Sequence, residues 1–385
     1  MPISRRSFVH TLSLGGAGVL GVPFIAARGH EAWARALADD APHLPFGDDP
    51  AGPIRLQSNE NPYGPSPAAL AAVRDALAGA SRYPRGPETM LQEAIAARHG
   101  VPTDRILLGA GSGEILRMAA YAFLAPGKAL VTAAPSFEDP VRYAKLLGAT
   151  VHEVPVDARL RLDPDAMAER AAGAGMVFFC NPNNPTGTVH GEAAVADFVS
   201  RVRRVSPETI VVIDEAYHEY VEEPTYASAI PLALADPRVV VTRTFSKVYG
   251  MAGLRVGWAI GAAETLAAMR RHRLGNSVNV LGSAAALASL ADGAFATAQR
   301  RLNREAREFT RRAFVDAGHQ VTPSECNFLM VDIRRDAREF QKACQVHGVL
   351  VGRPFPPLLT RARISIGTLA EMRRAADVFR DVLSA

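Results

Sequence analysis

Between about Ala68 and Ile260, short and largely apolar runs without alternation recur between alanine-rich, helix-like stretches. Examples are Arg105-Ile106-Leu107-Leu108, Ala129-Leu130-Val131-Thr132, Met176-Val177-Phe178-Phe179 and Ile210-Val211-Val212-Ile213. A strand with one face in water alternates apolar and polar residues, so runs of this kind need cover on both faces. Helices packed on both sides of a mostly parallel sheet provide it, and the expected architecture is α/β, doubly wound. In such sheets ligands collect beyond the carboxyl ends of the strands, and most of the polar strings discussed below follow an apolar run.

A chain of 385 residues, 48% apolar and 21% charged, can bury a large core and by length holds about two domains. After about Leu281 the texture changes to long arginine-rich helical stretches. Asn327-Phe328-Leu329-Met330-Val331 and Ala362-Arg363-Ile364-Ser365-Ile366 then read as strands of a smaller α+β unit. The expected division is residues 37–67 as an N-terminal arm with part of the small domain, 68–280 as the large domain, and 281–385 as the small C-terminal domain. The segment Asp39 to Pro53, with four prolines, reads as an extended arm able to reach a neighbouring subunit.

The first 36 residues stand apart. Ser4-Arg5-Arg6-Ser7-Phe8, a glycine-rich apolar stretch from Thr11 to Ala27, and Ala34-Arg35-Ala36 resemble a bacterial twin-arginine signal with a small-residue cleavage site. The rival is a membrane span, but the stretch is shorter than the ~20 residues a spanning helix needs. The expectation is export to the periplasm by the twin-arginine machinery, or cytoplasmic residence if the signal is unused. Residues 1–36 carry four arginines and one glutamate, so most of the net charge of +4 lies there, and nucleic acid is not expected as a partner. Cys180, Cys326 and Cys344 are odd in number and lack metal-ligand spacing; they read as three buried thiols, with no metal.

The chain has only four lysines: Lys128, Lys145, Lys247 and Lys342. Lys128 falls in a Pro-Gly turn signal, and Lys145 and Lys342 lie in helix-like runs where a solvated charge is ordinary. Lys247 alone follows a β-rich run, Val239-Val240-Val241-Thr242, within Thr244-Phe245-Ser246-Lys247, and precedes Gly250-Met251-Ala252-Gly253-Leu254-Arg255-Val256-Gly257. Hydroxyls and an arginine around one amine suit an anionic cofactor.

Other strings are less specific singly. Asp214, at the end of Ile210 to Ile213, reads as a partner for a protonated ring nitrogen, or as a metal ligand or helix N-cap. Asn181-Pro182-Asn183-Asn184-Pro185-Thr186-Gly187 has the composition of a tight turn. Gly109-Ala110-Gly111-Ser112-Gly113-Glu114 precedes a helix-like segment whose first amides and dipole would cradle a phosphate, though it matches neither the dinucleotide fingerprint nor the P-loop. Phe137 reads as a cover for a flat heterocycle or as core.

Together these strings, with Ser58-Asn59-Glu60-Asn61-Pro62-Tyr63-Gly64-Pro65-Ser66-Pro67, Arg82-Tyr83-Pro84, Asp214-Glu215-Ala216-Tyr217 and Arg363-Ile364-Ser365-Ile366-Gly367-Thr368, resemble the pyridoxal-phosphate aminotransferases of fold type I. Within them the chain is most similar to the histidinol-phosphate aminotransferase subfamily, over about residues 54 to 385. The resemblance implies pyridoxal 5'-phosphate as cofactor, carried on Lys247, which then moves the substrate's α-proton. Asp214 would pair with the ring nitrogen, and Asn184 and Tyr217 would hydrogen-bond the ring's phenolic oxygen. Phe137 would cover the ring. Thr244, Ser246, Arg255 and the amides of Ser112 and Gly113 would hold the phosphate, with Tyr63 reaching it from the other subunit of a homodimer. Arg363, Arg353 and Asn184 would bind the substrate. Arg255 is expected to help lower the pKa of Lys247. Two departures are that Gly113 stands where the subfamily commonly has aspartate, and Phe137 where tyrosine is frequent; a backbone amide and an aromatic face survive both. The implied reaction moves an amino group between an L-amino acid or amino-alcohol phosphate, of histidinol phosphate or aromatic type, and a 2-oxo acid. Decarboxylation or a lyase step on a phosphorylated amino acid is the alternative.

Overall fold

The computed structural model describes residues 52–384. The segment resembling an export signal and nearly all of the proline-rich arm lie outside these residues. The strands are β1 (Ile54–Leu56), β2 (Ile106–Gly109), β3 (Leu130–Ala134), β4 (Val151–Pro155), β5 (Met176–Cys180), β6 (Ile210–Asp214), β7 (Val239–Thr244), β8 (Gly257–Ile260), β9 (Gln320–Val321), β10 (Phe328–Asp332), β11 (Val349–Val351) and β12 (Arg361–Ser365).

Seven of them form one sheet in the order β2-β8-β7-β6-β5-β3-β4, parallel except for β8, which runs antiparallel to both its neighbours. Every residue of β5, β6 and β7 is buried. Alternate side chains enter separate cores: Val177, Phe179, Val211 and Ile213 pack in one, and Met176, Phe178, Ile210 and Val212 in the other. That is the two-sided cover that the non-alternating runs require, and the α/β reading holds. The first core also takes in Ala285 and Ala286 of the helix Val280–Ala291.

A second unit is built around the antiparallel sheet β12-β10-β9, with β1 paired to β11 in parallel beside it. Its core joins Ile54 and Leu56 to Phe314, Leu329, Phe340, Ile364 and Phe379. The segment after β1 therefore leaves this unit and runs toward the large sheet, carrying Asn59 and its neighbours with it. Cys180, Cys326 and Cys344 are free and buried, as their composition suggested.

Candidate functional site

Three central strands end together. β5 passes into the asparagine-rich turn, β6 ends on Asp214 and β7 on Thr244, with Cys180 opposite Asp214 and Asp214 opposite Thr242 in register. Above these ends lies a cavity of about 410 Å³ lined by Ser112, Gly113, Phe137, Asn184, Asp214, Tyr217, Thr244, Ser246, Lys247, Arg255 and Arg363. Gln57, Ser58, Asn59, Glu60, Asp139, Cys180, Ala216 and Ala252 complete the wall. Of the thirteen residues singled out in the sequence, only Tyr63 and Arg353 do not line it. Tyr63 is 39% exposed, and Arg353 is half-exposed with its Nη2 donating to Glu138 Oε2 at 2.5 Å.

One end of the cavity is made for a small anion. The helix Ser112–Phe123 starts there, and its N-cap, Gly111, supplies no side-chain acceptor for the first amides. Beside it Thr244 Oγ1 donates to Ser246 Oγ at 2.9 Å, and Arg255 Nη1 lies 3.5 Å from the same Ser246 hydroxyl. Space here is tight enough to require glycine. A Cβ at Gly257 would stand 2.3 Å from the Ser112 amide nitrogen, and one at Gly111 2.3 Å from Arg255 Nη2. Amide donors at a helix start, two hydroxyls and a guanidinium are the donor set a phosphate monoester needs.

In the middle, Lys247 Nζ donates to the Asn59 carbonyl at 3.1 Å and sits 5.6 Å from the centroid of the Tyr217 ring. Burial lowers its pKa to about 8, with Arg363 the next cause. Arg255 also lowers it, as expected, but less than Arg363, which comes from the second unit and lines the same cavity. Asp214 accepts a hydrogen bond from Thr242 Oγ1 at 2.7 Å, and burial raises its pKa to about 6. A buried carboxylate in this state favours a cation beside it, as a protonated ring nitrogen would be. Tyr217 is held protonated by burial, and its hydroxyl accepts from Asn59 Nδ2 at 3.0 Å. No group of three or more His, Cys, Asp or Glu side chains able to hold a metal ion occurs among the described residues.

The other end is cationic. Arg363 is nine-tenths buried, donates from Nη1 to Asn184 Oδ1 at 2.8 Å and from Nη2 to the Gln57 carbonyl at 2.6 Å, and leaves Nε without a partner. Burial lowers its pKa to about 10. An unpaired buried guanidinium N–H is costly, and an incoming oxyanion relieves that cost.

The asparagine turn is a structural device as well as a wall. Asn181 exchanges hydrogen bonds with His190, and Asn183 Nδ2 donates to the Pro135 carbonyl and Thr186. Only Asn184 of the three faces the cavity. Asn59, in the Ser58 to Pro67 string, joins the middle of the cavity. With φ of 53°, it receives Lys247 on its carbonyl, donates to Tyr217, and accepts from Ser365 Oγ at 2.7 Å. Asn327 donates to the same Asn59 carbonyl at 3.0 Å. For Asn327 the signal in the sequence was its place directly before the strand-like run Phe328 to Val331; Asn59 carried no such signal.

The model of the aminotransferase class I and II family matches residues 51–379. A histidinol-phosphate aminotransferase of Symbiobacterium thermophilum is 42% identical over 333 residues, covering 86% of this chain and 90% of the relative. An aromatic amino acid aminotransferase of Thermobifida fusca is 38% identical over 341 residues, covering 87% and 93%. Among solved structures, a histidinol-phosphate aminotransferase from Sinorhizobium meliloti in complex with pyridoxal-5'-phosphate superposes with a TM-score of 0.80 at 27% identity, over 94% of this chain and 96% of that one. A phosphate-sized donor set, a pKa-lowered lysine and a buried arginine gathered at the ends of β5, β6 and β7 agree with these likenesses, and the chain belongs to the aminotransferase class I and II family.

Proposed function

We propose that this protein is a pyridoxal-phosphate-dependent aminotransferase that moves an amino group between an L-amino acid or amino-alcohol phosphate, of histidinol phosphate or aromatic type, and a 2-oxo acid. The observation that carries the reading is the position of Lys247 Nζ in one cavity with Asp214, Tyr217 and Arg363. The names of the relatives support both halves of the substrate range.

Within this reading the cofactor supplies an electron-withdrawing ring that stabilises negative charge at the substrate's α-carbon. Lys247 would carry it, and with a pKa near 8 the amine is free often enough at neutral pH to act as nucleophile and then as the base that moves the α-proton. Asp214 would hold the ring nitrogen protonated. Asn184 Oδ1 accepts from Arg363, and its amide NH₂ end and the Tyr217 hydroxyl would hydrogen-bond the phenolic oxygen. Phe137 would cover the ring face. Ser112, Gly113, Thr244, Ser246 and Arg255 would anchor the phosphate, and Arg363 would orient the substrate's carboxylate or phosphate. Arg353 would stand further out as a second substrate arginine.

Tyr63 would complete the site of a second copy in a homodimer; its exposure and its absence from its own chain's cavity support this. The twin-arginine string at Ser4 to Phe8 supports export to the periplasm. The test of the reaction is the absorbance of purified protein reconstituted with pyridoxal phosphate, before and after glutamate, phenylalanine and histidinol phosphate. Bleaching by one donor and recovery with a 2-oxo acid is the expected result. Release of carbon dioxide without recovery would turn the assignment to decarboxylation.

A further inference from the structure

Glu138 stands between Phe137 and Asp139, two residues of the cavity wall, yet faces outward. It makes no side-chain cap to the helix Asp139–Leu146 that follows, so local structure does not require its carboxylate. Its partner is Arg353, from the second unit, at 2.5 Å. The guanidinium of Arg353 lies 4.3 Å from the Phe355 ring centroid, and that of Arg363 lies 4.7 Å from the same centroid. The two guanidinium carbons are therefore no further apart than the sum of those distances. Arg363 is the inner, buried member of this set and Arg353 the outer, exposed one. Asp139 does not compete for Arg353, because its own carboxylate is paired with Arg142 at 2.9 Å.

An exposed ion pair of this kind is weak and exchangeable, and a ligand bearing a second negative charge would have to displace Glu138 and then sit near its carboxylate. We propose that Glu138 is a specificity-determining residue, which occupies Arg353 and so biases the site toward ligands with one negative charge over ligands with a second, distal one. The inference rests on the reading of the Lys247 cavity as an amino-acid site with Arg363 as its inner anion-binding residue. A second carboxylate still binds, by exchange, and the bias is graded.

The test is equilibrium binding of glutarate and of pentanoate to the pyridoxal-phosphate-loaded protein, by calorimetry, in the unaltered chain, in E138Q, in R353Q and in the double variant. The two probes have the same chain length and differ by one carboxylate. In E138Q glutarate should tighten relative to pentanoate by roughly three- to tenfold, the size expected when one exposed pair and one like-charge contact are removed. That gain should vanish in the double variant. An unchanged ratio in E138Q, or equal changes for both probes as a mere clasp between the units would give, overturns the role of Glu138. Turnover with phenylalanine, followed separately on the unaltered chain, reports on the proposed reaction: a chain that fails to transaminate while its E138Q form still favours glutarate would sink the reaction and leave this inference standing.

Discussion

The two ends of the cavity are built on different principles. The phosphate-sized end is made from two short segments, each local in sequence and brought together by the sheet: the first amides of the helix Ser112–Phe123, and Thr244 at the end of β7 with Ser246 and Arg255 on the loop that follows. The cationic end is made from side chains that meet only on folding. Arg363 reaches Gln57 across 306 positions of sequence, Asn59 meets Ser365 across the same separation, and Arg353 meets Glu138 across 215. The first kind of site tolerates little change in shape, because a Cβ would collide with backbone. The second can change its charge and its partners residue by residue.

The largest effect should come from Lys247→Ala, which tests whether the middle of the cavity belongs to chemistry alone. Turnover should fall by a factor on the order of 10³–10⁴, as loss of a general base does, while the phosphate end still binds the cofactor without a covalent link. Turnover at the original rate in a stopped assay would remove Lys247 from the mechanism. Asp214→Asn should follow, with kcat/KM lower by a factor on the order of 10²–10³, the usual cost of removing one buried electrostatic partner. If Asp214→Asn left kinetics and cofactor retention intact, the carboxylate would be structural.

Gly257→Ala probes the rigid end directly. Its Cβ would press on the Ser112 amide, and overpacking of this sort costs about 1–3 kcal/mol. Cofactor affinity should drop more than thermal stability does; the reverse order, read by calorimetry and by cofactor titration, would mean that the close contact serves folding only.

The smallest effect is on pH. With its pKa lowered to about 8, the Lys247 amine is protonated below that value and free above it, so cofactor uptake by the apoprotein should accelerate as pH rises and level off above about 8. Arg363→Gln removes a cation that depresses this pKa, so the midpoint should move upward, and more than it does in Arg255→Gln. Equal midpoints in the two variants would show that the cationic end does not reach the amine.

The same contrast explains what was legible. Non-alternating runs announced buried strands because burial on both faces favours apolar side chains over most of a strand's length, with paired polar residues toward its carboxyl end, and Met176–Cys180, Ile210–Asp214 and Val239–Thr244 are such strands. Residues at or just after their ends, Asn184, Asp214, Ser246 and Lys247, line one cavity because a parallel sheet brings its carboxyl ends to one edge. Asn59 escaped notice as a partner of Lys247 and Tyr217 because nothing in a string of polar residues says which of its atoms faces a distant strand. Arg255 lowers the pKa of Lys247 as its place in the sequence suggests, and the larger contribution of Arg363 comes from a strand far along the chain that no local pattern ties to Lys247.

By itself, then, the sequence determined the strands, the edge of the sheet at which polar residues gather, and the anion-binding loop, since each depends on periodicity or on residues a few positions apart. Only the tertiary structure decided that Arg363 lines the cavity while Arg353 does not, that Asn59 links Lys247 to Tyr217, and that Glu138 occupies Arg353. Those outcomes depend on how two cores pack against one another, and side-chain pairing over hundreds of residues is fixed by that packing rather than by any local pattern.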